Sequence, residues 1–292
     1  MIFVPVQASW VSIYLMPVIT TFLSRKSSAA LVVAALALSW IGLVSAASRS
    51  MNLMVWTSLI TVYLVVVIYS YDDFFDGFDS PANWGDSKFW SGALSFFAIL
   101  AAGIMLAVWF LPGPTAAWSS LLISAIGFFY TVPWKVNGHI YRLKRLFIGK
   151  NLMIAIGWGG LLFLAGESSH ALTVYSIFVI AQVFMGAIIR DLDDVRDDEQ
   201  HKVLSLPVVL GSRATIGLLT LLNLALLAFM VYLFTLGTLS VVAILGFSLV
   251  VQWRNLSLFA HVLLPAHPRV RAWTNLSTCL LIFVVRVAEL WI

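Results

Sequence analysis

The chain has 292 residues, of which 61% are hydrophobic and only 10% charged, with a mean hydropathy of +0.99. A soluble domain carries about 25% charged residues and a disordered chain far fewer apolar ones, so both classes are excluded. The single cysteine, Cys279, sits in an apolar stretch, which excludes a disulfide framework and a cysteine metal site; the net charge of +4 says less than where the charges lie.

A helix that crosses the hydrocarbon core needs about 20 apolar residues, and backbone in lipid must satisfy its own hydrogen bonds. Apolar runs of that kind lie at roughly 3–22, 29–48, 52–71, 89–111, 115–134, 151–166, 171–190, 213–236, 237–254 and 272–291. The first contains Pro5 and Pro17 and lacks the basic leader of a signal peptide; the run 151–166 is short. Either is expected to be tilted, interfacial or partly re-entrant. Breakers separate the runs, among them Pro112-Gly113-Pro114 and Pro265-Ala266-His267-Pro268. Gly157-Trp158-Gly159-Gly160 lies inside a run and reads as close helix packing. No soluble domain or internal repeat interrupts the pattern, so residues 1–292 are expected to form a single membrane domain, an all-α multi-pass transmembrane helical bundle.

Basic residues orient such a bundle. With the segment holding Lys135, Arg142, Lys144, Arg145 and Lys150 on the cytoplasmic side, alternating helices put Arg25, Lys26, Lys88, Arg190, Arg196, Lys202, Arg213, Arg254, Arg269 and Arg271 there too. Only Arg49 falls on the other side, and Arg286 lies within the last run, where Glu289 can pair with it.

The acids are more telling. Of thirteen Asp and Glu, five lie between Asp72 and Asp86 and six between Asp191 and Glu199. Both groups follow a run that ends on the cytoplasmic side. Asp72, Asp73 and Asp76 have helical spacing; Asp191, Asp194 and Asp198 recur at i, i+3 and i+7, one face of a continuous helix, with Asp193 and Asp197 as a second stripe. Like charges so placed repel unless a cation lies between them. Mg²⁺ takes carboxylate oxygens, waters and phosphate oxygens, so two facing acidic helix ends suit Mg²⁺ and a diphosphate. The basic stretch from Tyr130 to Asn151 supplies cations to stabilise the charge on that group.

Asp191-Leu192-Asp193-Asp194-Val195-Arg196-Asp197-Asp198, followed by Ser205-Leu206-Pro207-Val208-Val209-Leu210-Gly211, resembles the second motif of the UbiA superfamily of intramembrane prenyltransferases, D-x-x-D-x-x-x-D and a T-L-P-V-x-L-G-like segment. Phe129-Tyr130-Thr131-Val132-Pro133 and the stretch from Arg142 to Asn151 resemble the middle of that family. The first motif, N-D-x-x-D-x-x-x-D, is matched less closely. Asp72 stands at the Asn position, Asp73 and Asp76 match, Ser80 replaces the last Asp, and Asp79 is one residue early.

The resemblance implies about nine spanning helices over residues 29–292, with 1–22 as an extra or interfacial N-terminal hydrophobic helix. It implies a Mg²⁺-dependent prenyltransferase that moves a polyprenyl group from its diphosphate to an aromatic or lipid-like acceptor. The ligands of Mg²⁺ would come from Asp72, Asp73, Asp76, Asp79, Asp191, Asp194 and Asp198, with Asp73, Asp76, Asp191 and Asp194 catalytic. Lys88, Tyr130, Lys135, Tyr141, Arg142, Lys144 and Arg145 would bind the donor. The expected partners are a polyprenyl diphosphate, a hydrophobic acceptor and the lipid bilayer, with no nucleic acid. The alternative is a UbiA-type terpene cyclase acting on the same donor. A transporter without chemistry fits less well, because the acids sit at helix ends on one side and no inverted repeat is visible.

Overall fold

The computed structural model describes residues 28–46, 50–76, 87–136, 139–141, 143, 146–166, 168–200, 203–263 and 268–291. The N-terminal run at 3–22 lies outside them. The elements are α1 (Ser28–Ser45), α2 (Met51–Asp76), α3 (Ser87–Phe110), α4 (Gly113–Thr131), β1 (Trp134–Val136), β2 (His139–Tyr141), α5 (Gly149–Gly160), a 3-10 turn (Leu161–Phe163), α6 (His170–Asp191), α7 (Val195–Gln200), α8 (Leu206–Leu210), α9 (Ser212–Thr235), α10 (Val241–Leu263) and α11 (Pro268–Trp291). Each apolar run from the second onward becomes a helix. Seven of these helices are long and apolar enough to cross a membrane by length and composition. α4 and α5 are not among the seven; α5, at 12 residues, is the shortest of the long helices.

The helices close a ring. Each of α1 to α5 packs on the next, α6 packs on α9, α9 on α10, α10 on α11, and α11 returns to α1. α6 is the most enclosed span, with 61% of its apolar window buried, against 17% for α9. Trp109, Trp118 and Trp291 are exposed toward one end of the bundle and Trp90 and Trp134 toward the other, as in the aromatic belts of membrane proteins.

Between apolar helices in lipid, close packing and hydrogen bonds replace the hydrophobic drive. Gly159 shows the first: a Cβ there would run into Ile180 of α6, so the glycine lets α5 press against α6. At the end remote from the acids, Arg286 pairs with Glu289 at 2.6 Å. Arg286 Nε also donates to Ser45 Oγ (2.9 Å), Tyr175 Oη donates to Glu289 Oε2 (2.9 Å) and Ser240 Oγ to Glu289 Oε1 (2.8 Å). The pairing is the one their spacing suggests, and its further bonds tie α1, α6, the start of α10 and α11 together.

Three sequence expectations shift. The run 237–254 was expected to end at Arg254, but α10 spans Val241–Leu263 and buries Arg254 within it. Its guanidinium donates to Gln182 Oε1 (3.3 Å), the Gln182 carbonyl (3.3 Å) and Asn275 Oδ1 (2.7 Å), so a charge assigned to the cytoplasmic surface belongs to the interior. The run 115–134 stops as a helix at Thr131, because Pro133 lacks a donor and biases Val132 to extended backbone (φ −80°, ψ 123°). Strands β1 and β2 follow as a short antiparallel ribbon, Lys135 opposite Ile140, the one departure from helix among the described elements.

Removing one partner of a buried ion pair costs roughly 3–5 kcal/mol. Arg286→Met, which strands Glu289, is expected to fall toward the lower end of that range, since Tyr175 and Ser240 still serve the carboxylate. It should lower the thermal midpoint in detergent by several degrees; an unchanged midpoint would remove the ion pair from the architecture.

Candidate active site at the acidic end of the bundle

α2 continues past its apolar run to Asp76, so Asp72, Asp73 and Asp76 lie on one unbroken helix, as their spacing requires. Asp72 and Asp73 are half-buried and Asp76 is exposed. Asp79 lies outside the described residues.

The second cluster differs from the continuous helical face expected of it. α6 ends at Asp191, and Leu192–Asp194 form a turn in which the Asp193 and Asp194 amides donate to the Arg190 and Asp191 carbonyls (3.1 and 3.2 Å). A new short helix, α7, then begins, and the Asp194 carbonyl accepts its first bond, from the Asp198 amide at 2.8 Å. Asp favours such helix-start positions over helix interiors, which is why an Asp-rich segment breaks where periodicity alone reads through. Asp191 is therefore buried at the end of one helix, while Asp194 is exposed at the start of the next. Asp198 is half-buried, and its Oδ2 is buried with no hydrogen-bond partner. Ser205 Oγ, in the Ser205–Gly211 segment that forms α8 and leads into α9, is also buried without a partner.

The two acidic helix ends are linked through α5. Trp158 Nε1 of α5 donates to the Tyr69 hydroxyl (3.3 Å), one turn before Asp72 and Asp73 on α2. Lys150 and Asn151, at the start of α5, reach the same end. Lys150 Nζ lies 2.9 Å from Asp191 Oδ1, and Asn151 Nδ2 donates to Asp191 Oδ2 at 2.9 Å. Sequence reasoning placed Lys150 among the basic residues and gave Asn151 no site role of its own. Their position at the end of that basic stretch was the available signal.

Among the other expected residues, Lys88 is exposed at the start of α3, and Tyr130 is half-buried in the last turn of α4. Lys135 is on β1 and Tyr141 on β2. Arg142, Lys144 and Arg145 lie outside the described residues. Aromatic side chains pack beneath the first cluster: Tyr71 stacks on Phe96 (4.6 Å between centroids), and Phe75 meets Phe89 edge-on (5.7 Å). Phe75, Phe89 and Phe96 are fully buried, so they serve as core between α2 and α3.

Among the described residues, no three His, Cys, Asp or Glu side chains converge into a ready-made metal site. Mg²⁺ does not need one, because it is held through one or two carboxylates together with waters and substrate phosphates. The orphaned, buried Asp198 Oδ2 beside exposed Asp194 fits such a cation.

Several solved structures share this fold. A UbiA homolog from Aeropyrum pernix K1, solved in its apo form, superposes with a TM-score of 0.62 at 18% identity, covering 89% of this chain and 96% of its own. A UbiA homolog from Archaeoglobus fulgidus, solved bound to GPP and Mg²⁺, superposes with a TM-score of 0.62 at 14% identity, covering 97% of this chain and 100% of its own. A structure of digeranylgeranylglyceryl phosphate synthase gives 0.62 at 13% identity, covering 94% of this chain and 99% of its own. No curated protein sequence matches the chain. Residues 90–286 match the model of the UbiA prenyltransferase family, and the chain is a member of that family.

Proposed function

We propose that the protein is a Mg²⁺-dependent membrane prenyltransferase that transfers a polyprenyl group from its diphosphate to an aromatic or lipid-like acceptor. The observation that carries this reading is the linking of the two acid-bearing helix ends, α2 and α6, through α5, which bonds Tyr69 on one and Asp191 on the other. Family membership supports it, as does the Archaeoglobus homologue with GPP and Mg²⁺ in its structure.

In this reading Asp73 and Asp76 on one side and Asp194 and Asp198 on the other hold the cation, with Asp72 and Asp79 beside them. When bound, Mg²⁺ offsets the charge that builds on the departing diphosphate. Lys88, Lys135, Arg142, Lys144 and Arg145, with the hydroxyls of Tyr130 and Tyr141, donate to the diphosphate oxygens. The allylic C–O bond breaks and its electron pair leaves with the diphosphate. The acceptor supplies the electron pair of the new bond to the allylic carbon and then loses a proton. The prenyl tail lies among apolar helices, which keep water from the allylic carbon.

The decisive experiment is to incubate the purified protein with Mg²⁺ and geranylgeranyl diphosphate, with and without a lipid extract, and to follow diphosphate release and organic products. A prenylated adduct that appears only with the extract is expected. A cyclised hydrocarbon without it would replace transfer by cyclisation, and no turnover with any donor length would end the enzymatic reading. EDTA should abolish release. Asp194→Ala and Asp198→Ala should reduce it to background at saturating Mg²⁺ with an unchanged thermal midpoint; full activity in either would remove that residue from the metal site.

The basic residues also favour a cytoplasmic acidic end. Because the single native thiol, Cys279, is buried, introduced cysteines report sidedness cleanly. In sealed inverted vesicles, a membrane-impermeant maleimide should label Glu199→Cys and spare Ser168→Cys. The reverse pattern would invert the topology.

A further inference from the structure

The two ends of the second acidic cluster are in opposite states. Asp198 carries a buried carboxylate oxygen with no partner. Asp191 has a donor on each oxygen: the Lys150 ammonium at 2.9 Å from Oδ1 and the Asn151 amide at 2.9 Å from Oδ2. The Lys150 and Asp191 side chains are only 11% and 10% exposed, and Asn151 is 3% exposed, so water and salt screen this contact little. The backbone leading into it is itself unusual. Ile148, just before α5, has φ of 46° and ψ of −38°, a conformation that β-branched residues rarely adopt. Such strain persists only where the surroundings enforce it.

A Mg²⁺ ion that took Asp191 as a ligand would have to displace a buried ammonium and leave Lys150 unpaired beside a dication, which is costly. We propose that Asp191 is a positioning residue and not a magnesium ligand. Lys150 and Asn151 lock its carboxylate, which pins the end of α6 to the start of α5 and so sets where Asp194 and Asp198 stand. The lock needs no metal. The inference rests on the Mg²⁺–diphosphate reading of this site and deepens it by dividing the motif into one anchoring carboxylate and two ligating ones.

A double-mutant cycle tests this with Lys150→Met, Asp191→Asn and the combined variant, read as thermal midpoint in EDTA and as diphosphate release against Mg²⁺ concentration. In EDTA each single variant should lower the midpoint by several degrees and the double should recover most of the loss, because breaking a buried pair costs more than removing it whole. Asp191→Asn should lower turnover about 10–100-fold, as loss of a positioning partner does, while shifting the Mg²⁺ half-saturation less than about threefold. The double variant should regain about tenfold in turnover over Asp191→Asn.

The proposal is overturned if Asp191→Asn raises the Mg²⁺ requirement as far as Asp198→Asn does, or if the double is no more active than Asp191→Asn. Should Asp191→Asn not fold, Asn151→Leu keeps both charges and decides the matter. Lower turnover at unchanged Mg²⁺ half-saturation supports the lock, whereas tighter Mg²⁺ binding, as from a ligand set free, overturns it. Absence of coupling in EDTA removes the lock itself, whereas a wild-type protein that releases no diphosphate removes the enzymatic reading beneath it.

Discussion

A polar or charged side chain inside a lipid-embedded bundle must find its partner within the bundle, and this requirement organises the whole chain. Helix association in lipid gains little from hydrophobicity. The described structure is instead tied at three levels by polar nodes. Glu289 gathers donors from α6, α10 and α11 at one end. Deeper in, Arg254 is held by Gln182 and Asn275, and Gln182 passes the network on to Asn223 of α9 at 2.8 Å. At the acidic end, Asp191 holds Lys150 and Asn151. α6 contributes to all three, which accounts for its being the most enclosed span.

The proposed chemistry sits at the level where this rule is left incomplete. Asp198 Oδ2 is a buried carboxylate oxygen without a partner; Ser205 Oγ, Thr57 Oγ1 and Ser124 Oγ, also buried without partners, are hydroxyls, and the three polar nodes are closed. Native proteins pair nearly all buried polar groups, so an orphaned carboxylate oxygen next to a helix start is most simply read as a place kept for a cation. The two ends of the bundle thus divide the work: the Glu289 node is closed and holds the ring together, and the Asp198 carboxylate stays open to a ligand.

The helices were legible because the apolar requirement of a span repeats so plainly. Gly159 was legible too, as a glycine in an apolar run where helices press close. What was not legible depended on neighbours. Nothing in the order of residues says that Gln182 and Asn275, on two different helices, would converge on Arg254, so that residue read as a surface charge at the end of its run. The i, i+3, i+7 pattern of Asp191, Asp194 and Asp198 read as one face. The preference of Asp for helix starts overrode that periodicity and broke the segment at Leu192–Asp194. The lock on Asp191 needs the start of α5 to lie beside the end of α6, a register that sequence spacing does not carry.

The solitary guanidinium of Arg254 has a consequence for the field within the molecule. Among the described residues, the groups that hydrogen-bond this cation are neutral amides. Its Nη2 lies near Gly186, since a Cβ placed there would be 3.5 Å from that atom, and Gly186 is about 7 Å along α6 from Asp191. A fixed positive potential therefore underlies the acidic end, in a medium where mobile ions cannot neutralise it. It offsets part of the repulsion that clustered carboxylates exert on any approaching polyanion, and it does so at every ionic strength.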